Sequence, residues 1–207
     1  MRTVSSCFGL LLGVLLTNAA YTTEATASTA EAALTPELTP TSKRTTRVGG
    51  YLATGHGTIG ITPYRAAMSW DFGPYWREQQ TRKVHVFWEA AVSRWTDAEK
   101  RRSPEDNQSL TAFTTGPQLR LISHSDFYGT HPYLEAGIGF SWLSRCSIGG
   151  RRLGIHFQFE DRVGGGIFFG KDYKSELKLN IVHYSNASIH RYNSGVNMYW
   201  IGLGRWF

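Results

Sequence analysis

The feature that most constrains this chain is a strict two-residue alternation, clearest in KSELKLNIVHYS at residues 174–185. Its odd positions are Ser175, Leu177, Leu179, Ile181, His183 and Ser185, and its even ones include Lys174, Glu176, Lys178 and Asn180. A helix would scatter these lysines and leucines around its circumference, whereas a strand sends successive side chains to opposite faces. The pattern predicts a strand with one oily and one ionic neighbour, and His183 and Ser185 close the oily row.

The alternation recurs along the chain. In VHVFWEAAV, Val84, Val86, Trp88, Ala90 and Val92 oppose His85, Phe87, Glu89 and Ala91. In PYLEAGIGFSWL, Leu134, Ala136, Ile138, Phe140 and Trp142 oppose Tyr133, Glu135, Gly137, Gly139 and Ser141. Upstream, Tyr64, Ala66, Met68, Trp70 and Phe72 oppose Arg65, Ala67, Ser69 and Asp71. Eight strands are expected, near 48–56, 61–72, 83–93, 109–122, 131–143, 157–170, 174–185 and 196–207, which makes an all-β, eight-stranded antiparallel barrel.

Alternation alone admits two solvents. A soluble lipocalin-like barrel turns its apolar rows inward, and a transmembrane barrel of the outer membrane turns them toward lipid. Strands of about 10–13 residues match a tilted membrane crossing of about 9–11. Trp and Tyr on the apolar rows suit an interfacial girdle. The chain closes on WIGLGRWF, with Gly202 and Phe207 where the assembly signal of outer-membrane barrels has glycine and an aromatic, although Arg205 stands where an apolar residue is usual. These features favour the membrane barrel.

A chain of 207 residues, 41% apolar and 14% aromatic, suits one domain. A mean hydropathy below zero excludes a bundle of membrane helices. CFGLLLGVLL at residues 7–16 follows Arg2 and is too short to span a bilayer, so residues 1–27 read as a secretory signal peptide, with Asn18-Ala19-Ala20 and Ala25-Thr26-Ala27 as cleavage regions. Residues 28–47, rich in Thr, Ala and Pro, read as a flexible leader to a barrel at 48–207. Cys7 falls in the signal, so Cys146 is left alone and no internal disulfide is expected.

The net charge of +6 comes from scattered residues, which argues against a nucleic-acid partner. Lys100-Arg101-Arg102, Arg151-Arg152 and Arg191 fall in expected loops, where they can meet headgroup phosphates or simply keep the loops solvated. With an even strand number both ends of the barrel lie in the periplasm, so the tight connection at 171–173 is a periplasmic turn and the charged segment 94–108 an outer loop. His183 and Ser185 then sit at the outer end of the seventh strand and face the outer leaflet.

A polar group set against hydrocarbon without a partner costs about 2–7 kcal/mol, less near the headgroups. Residues two apart on a strand face have Cα atoms about 6.6–6.8 Å apart, close enough for side chains to meet. Histidine beside serine is a base beside a nucleophile. Interfacial polar residues at a strand end are also ordinary, so spacing alone leaves the choice open.

FQFEDRVGGGIFFG at 157–170, HPYLEAGIG at 131–139 and HYSNASIHRYNSGVN at 183–197 resemble the lipid A 3-O-deacylase (PagL) family, over roughly residues 48–207, with His-Tyr-Ser-Asn-Ala the most specific part. The resemblance implies hydrolysis of the ester-linked 3-hydroxyacyl chain at the 3 position of lipid A, at a site on the outside of the barrel. It implies Ser185 as nucleophile and His183 as general base. Asn186 and Asn193 match asparagines of the motif, and Asn193 is the better donor to an oxyanion. Asn197 stands where the family has an acidic residue. An amide oxygen can accept the Nδ1 proton but adds no negative charge, so reduced activity is expected. Glu160 and Asp161 are set too far along a different strand to take that place.

Lipid A of lipopolysaccharide is thus the expected substrate and the outer membrane the expected location, while a homodimer is left open. No cofactor is expected, and no metal, since no cysteine–histidine cluster suggests one. The rival readings are a noncatalytic outer-membrane barrel or deacylase relic that binds lipid or surface partners, and a soluble carrier.

Overall fold

The computed structural model describes residues 46–74, 82–97 and 108–207. The expected signal peptide, nearly all of the leader and most of the segment 94–108 lie outside the described residues. Among the described residues ten strands occur: β1 (Arg47–Gly57), β2 (Ile61–Pro74), β3 (Arg82–Asp97), β4 (Ser109–Ser123), β5 (Thr130–Leu143), β6 (Ser147–Ile148), β7 (Arg151–Arg152), β8 (Phe157–Phe169), β9 (Ser175–Ser185) and β10 (Val196–Trp206). Eight of them close in the order β1-β10-β9-β8-β5-β4-β3-β2, and β6 and β7 form a small separate hairpin. Every neighbouring pair in the barrel is antiparallel. The eight expected strands are therefore present, with ends shifted by a few residues.

The alternation sorts as a membrane barrel requires. Leu52, Met68, Phe113, Leu134, Trp142, Leu179, Ile201 and Leu203 are exposed on the outer wall, while Arg65, Glu89, Arg120, Glu135, Glu160, Arg162, Glu176 and Lys178 are buried inside. That inversion is stable only where the surrounding solvent is hydrocarbon. Closure also leaves no sheet edge with unpaired backbone groups, each of which would cost several kcal/mol in lipid.

The lumen is filled in three layers. Its centre is ionic: Arg65 meets Glu89 at 2.7 Å and Glu160 at 2.8 Å, and Arg162 meets Glu89 at 2.9 Å. Nearby, Arg120 pairs with Glu135 at 2.8 Å and with Glu176 at 3.1 Å. Above this layer Trp95, Leu110, Leu143, Ile148, Leu153, Tyr184 and Met198 pack as an apolar plug, to which the β6–β7 hairpin contributes Ile148. Below it lie Phe87, Ile122, Tyr133, Phe168 and Trp206. Trp206 fits only because Gly49 opposes it across the β1–β10 seam, where a Cβ would come within 2.5 Å of the indole. The voids in the ionic layer hold about 10 Å³ each, room for a single water at most, so this part of the lumen is no channel.

The connections differ between the two ends. One end carries the compact turn Lys171–Tyr173 and the connection 124–129, and the other carries the short turn Thr58–Gly60 together with the longer segments 144–156 and 186–195. Short turns are periplasmic and long loops exterior in such barrels. The exterior end therefore holds the last residues of β9 and the first of β10.

Candidate active site

The site is built on three adjacent strands at the exterior end. His183 and Ser185 stand on β9, with Val182 and Tyr184 turned into the lumen between and beside them. Strand parity makes the two half-buried residues neighbours on the outer wall of the barrel. On β10, Asn197 is the registered partner of His183, and its Oδ1 lies 2.6 Å from Nδ1 of the ring. An amide oxygen only accepts, so the ring nitrogen donates, and the tautomer leaves a lone pair on Nε2. Asn197 is held in turn by its backbone N–H, which donates to Thr58 Oγ1 at 3.3 Å. Ser185 Oγ makes no hydrogen bond to the ring.

The segment 186–195 ends with Gly195 set against the histidine ring. A Cβ on Gly195 would stand 3.0 Å from His183 Cε1 and 3.5 Å from Nε2, and Gly195 has φ +43°, where side chains other than hydrogen are strained. Arg151 holds this strap by donating to the carbonyls of Ser194 at 2.6 Å and Gly195 at 3.2 Å. The sequence signals for these two residues were a glycine within the 183–197 stretch and a loop arginine; their partners depended on how two distant loops dock.

The two motif asparagines have different jobs. Asn186 is fully buried, and its Nδ2 donates to the carbonyls of Leu153 and Tyr192, both at 2.8 Å, so both amide hydrogens are used inside the loops. Asn193 accepts the Asn186 N–H on its Oδ1 at 2.9 Å, which fixes that amide and leaves its NH₂ free to donate.

Asp161 overturns one expectation. β8 and β9 pair so that Phe159 faces Ser185, Glu160 faces Tyr184 and Asp161 faces His183. Glu160 is turned inward to the ionic layer, but Asp161 is half-buried on the same wall as the histidine. It lies beside His183, not far along the barrel, because the tight turn after β8 sets the register.

Around Ser185 the wall is apolar and aromatic. Phe159 packs against Phe157 at 5.1 Å and Phe140 at 5.9 Å between ring centroids. Above the wall, the guanidiniums of Arg152 and Arg191 lie 4.9 Å and 4.7 Å from the Tyr192 ring centroid, and neither is ion-paired among the described residues. No group of three or more His, Cys, Asp or Glu suited to a metal ion occurs among the described residues. Chemically, the arrangement offers a hydroxyl, an imidazole with an oriented tautomer and an amide donor, beside an aromatic surface.

Comparison with known proteins agrees with the fold. Lipid A deacylase PagL of Pseudomonas aeruginosa is 28% identical over 146 residues, covering 69% of this chain and 76% of that protein. Lipid A deacylase PagL of Bordetella bronchiseptica matches to the same extent, 28% over 146 residues. A crystal structure of the outer membrane enzyme PagL is similar with a TM-score of 0.66 at 25% identity, covering 76% of this chain and 98% of that one. The protein is an outer-membrane barrel. A family model described as Lipid A 3-O-deacylase (PagL) matches residues 62–206, well over half of its length, and the chain belongs to that family.

Proposed function

We propose that this protein is an outer-membrane esterase that removes the ester-linked 3-hydroxyacyl chain at the 3 position of lipid A. The observation that carries the reading is the 2.6 Å contact between His183 Nδ1 and Asn197 Oδ1, which leaves Nε2 basic on the wall it shares with Ser185. Ser185 Oγ attacks the ester carbonyl while His183 Nε2 takes its proton. The Asn193 NH₂ donates to the oxyanion. Collapse expels the sugar 3-oxygen, which takes the proton back from His183 and leaves an acyl-serine. Water then attacks the acyl-serine, giving its proton to Nε2, and the free 3-hydroxy fatty acid leaves as Ser185 is reprotonated.

The surroundings suit this substrate. Phe140, Phe157 and Phe159 make an aromatic wall beside Ser185 for an acyl chain already lying in the leaflet. Arg152 and Arg191 stand above it at the level where the phosphorylated disaccharide lies, and guanidinium and phosphate match in charge and geometry.

A second reading, a relic that binds lipid without cleaving it, is favoured by one observation: Ser185 Oγ is not hydrogen-bonded to His183. In unliganded sites such bonds are often long and tighten only with substrate. Mass spectrometry of lipid A from cells with and without the protein separates the two. Loss of one 3-hydroxyacyl group supports the esterase; unchanged lipid A around a folded barrel leaves the relic.

A further inference from the structure

His183 has two cross-strand neighbours, Asn197 on β10 and Asp161 on β8. Directly opposed residues share a face and have Cβ atoms about 4.5–5.5 Å apart. Carboxylate, imidazole and amide thus form one row across three strands. The amide bonds the Nδ1 proton at 2.6 Å, but it is neutral. Orientation and charge, which a single carboxylate would supply together, have different sources here.

Asp161 stands apart from the other strand acids. Glu89, Glu135, Glu160 and Glu176 all turn into the lumen, and each meets a cation there. Asp161 instead faces outward between Phe159 and Val163, half-buried, and among the described residues it has neither a hydrogen bond nor an ion pair. An anion on a lipid-facing wall is disfavoured unless a positive charge develops beside it. The group registered directly opposite it that can become positive is His183.

We propose that Asp161 is a positioning residue for the reaction: its carboxylate stabilises the imidazolium that forms when His183 takes the Ser185 proton, while Asn197 fixes the tautomer. The inference rests on the esterase reading above. It assigns the charge to β8, on the opposite side of the histidine from the amide.

The test is a kinetic comparison of the full-length barrel, folded in detergent and assayed on purified lipid A, with folding followed by heat-dependent gel mobility. Asp161→Asn lowers kcat by about ten- to a hundredfold, the size expected for losing one charge beside the imidazolium, and leaves KM unchanged. Asp161→Glu recovers most of the loss. Asn197→Glu placed in the Asp161→Asn background also recovers it, because the charge then arrives from β10. A wild-type barrel that releases fatty acid while folded Asp161→Asn keeps its kcat overturns this inference alone. So does a loss that neither Asp161→Glu nor Asn197→Glu recovers, since that describes a structural residue. A folded wild-type barrel that releases no fatty acid overturns the esterase reading, and this inference with it.

Discussion

The Tyr184 hydroxyl donates to Glu160 Oε2 at 2.5 Å inside the barrel, from the residue that separates His183 and Ser185 along β9. The two are cross-strand partners, and Arg65 joins them, 2.8 Å from Glu160 and 3.2 Å from the Tyr184 hydroxyl. Trp95 packs on the Tyr184 ring at 4.6 Å. An anchor on the lumen face at position 184 fixes the orientation of both flanking residues on the outer wall. The ionic layer therefore supports the site as well as filling the lumen.

Loss of this anchor is expected to weaken the barrel. Tyr184→Phe removes a hydrogen bond to a charged acceptor and is expected to cost about 1.5–3 kcal/mol. Glu160→Gln leaves Arg65 and Arg162 facing a neutral amide, with an expected cost of about 3–5 kcal/mol. Urea unfolding in detergent reads both as lowered midpoints, the second lower than the first.

Asn197 offers a two-way test of orientation. Asn197→Leu removes the acceptor for the Nδ1 proton and frees the ring to take the wrong tautomer, so kcat is expected to fall by about 10²–10⁴. Asn197→Glu keeps an acceptor there and adds charge, so kcat is expected to equal or exceed that of the unaltered protein. Release of 3-hydroxy fatty acid measures both.

Position 195 in the segment beside the histidine leaves little room for a side chain. Gly195→Val meets both a φ of +43° and a contact of 3.0 Å with the His183 ring. Displacing the ring by even a fraction of an ångström is expected to lower kcat at least about tenfold. Thermal unfolding of the variant is expected to change much less than its activity, because the strap lies outside the barrel wall.

Arg152 and Arg191 give a salt-dependent prediction. Changing both to Ala is expected to raise KM for phosphorylated lipid A several-fold at low ionic strength. The difference is expected to fade near 1 M salt, where charges are screened beyond about 3 Å. Titrating activity against salt for both proteins checks it.

Much of the fold was legible because a barrel has one periodicity and two solvents. Glu89, Glu135 and Lys178 lie within rows whose alternate members are large and apolar, and no other arrangement buries the charges while solvating the leucines in lipid. The shared face of His183 and Ser185, and the place of Asn197 opposite His183, were legible because β9 and β10 are a hairpin whose parity can be counted. Asp161 was misplaced although the signal existed: a turn that pairs Phe169 with Ser175 sets Asp161 against His183 further up the same two strands. Arg151 and Leu153, which clasp the segment 186–195, left no such signal, since loop docking follows from shape and hydrogen bonding instead of periodicity.

The most direct measurement is the fate of purified lipid A incubated with the folded barrel in detergent, analysed by mass spectrometry beside a Ser185→Ala barrel of equal gel mobility. The unaltered protein is predicted to release one 3-hydroxy fatty acid per lipid A from the 3 position, and Ser185→Ala none. Equal release by both proteins, or release of a chain from another position, would contradict the account.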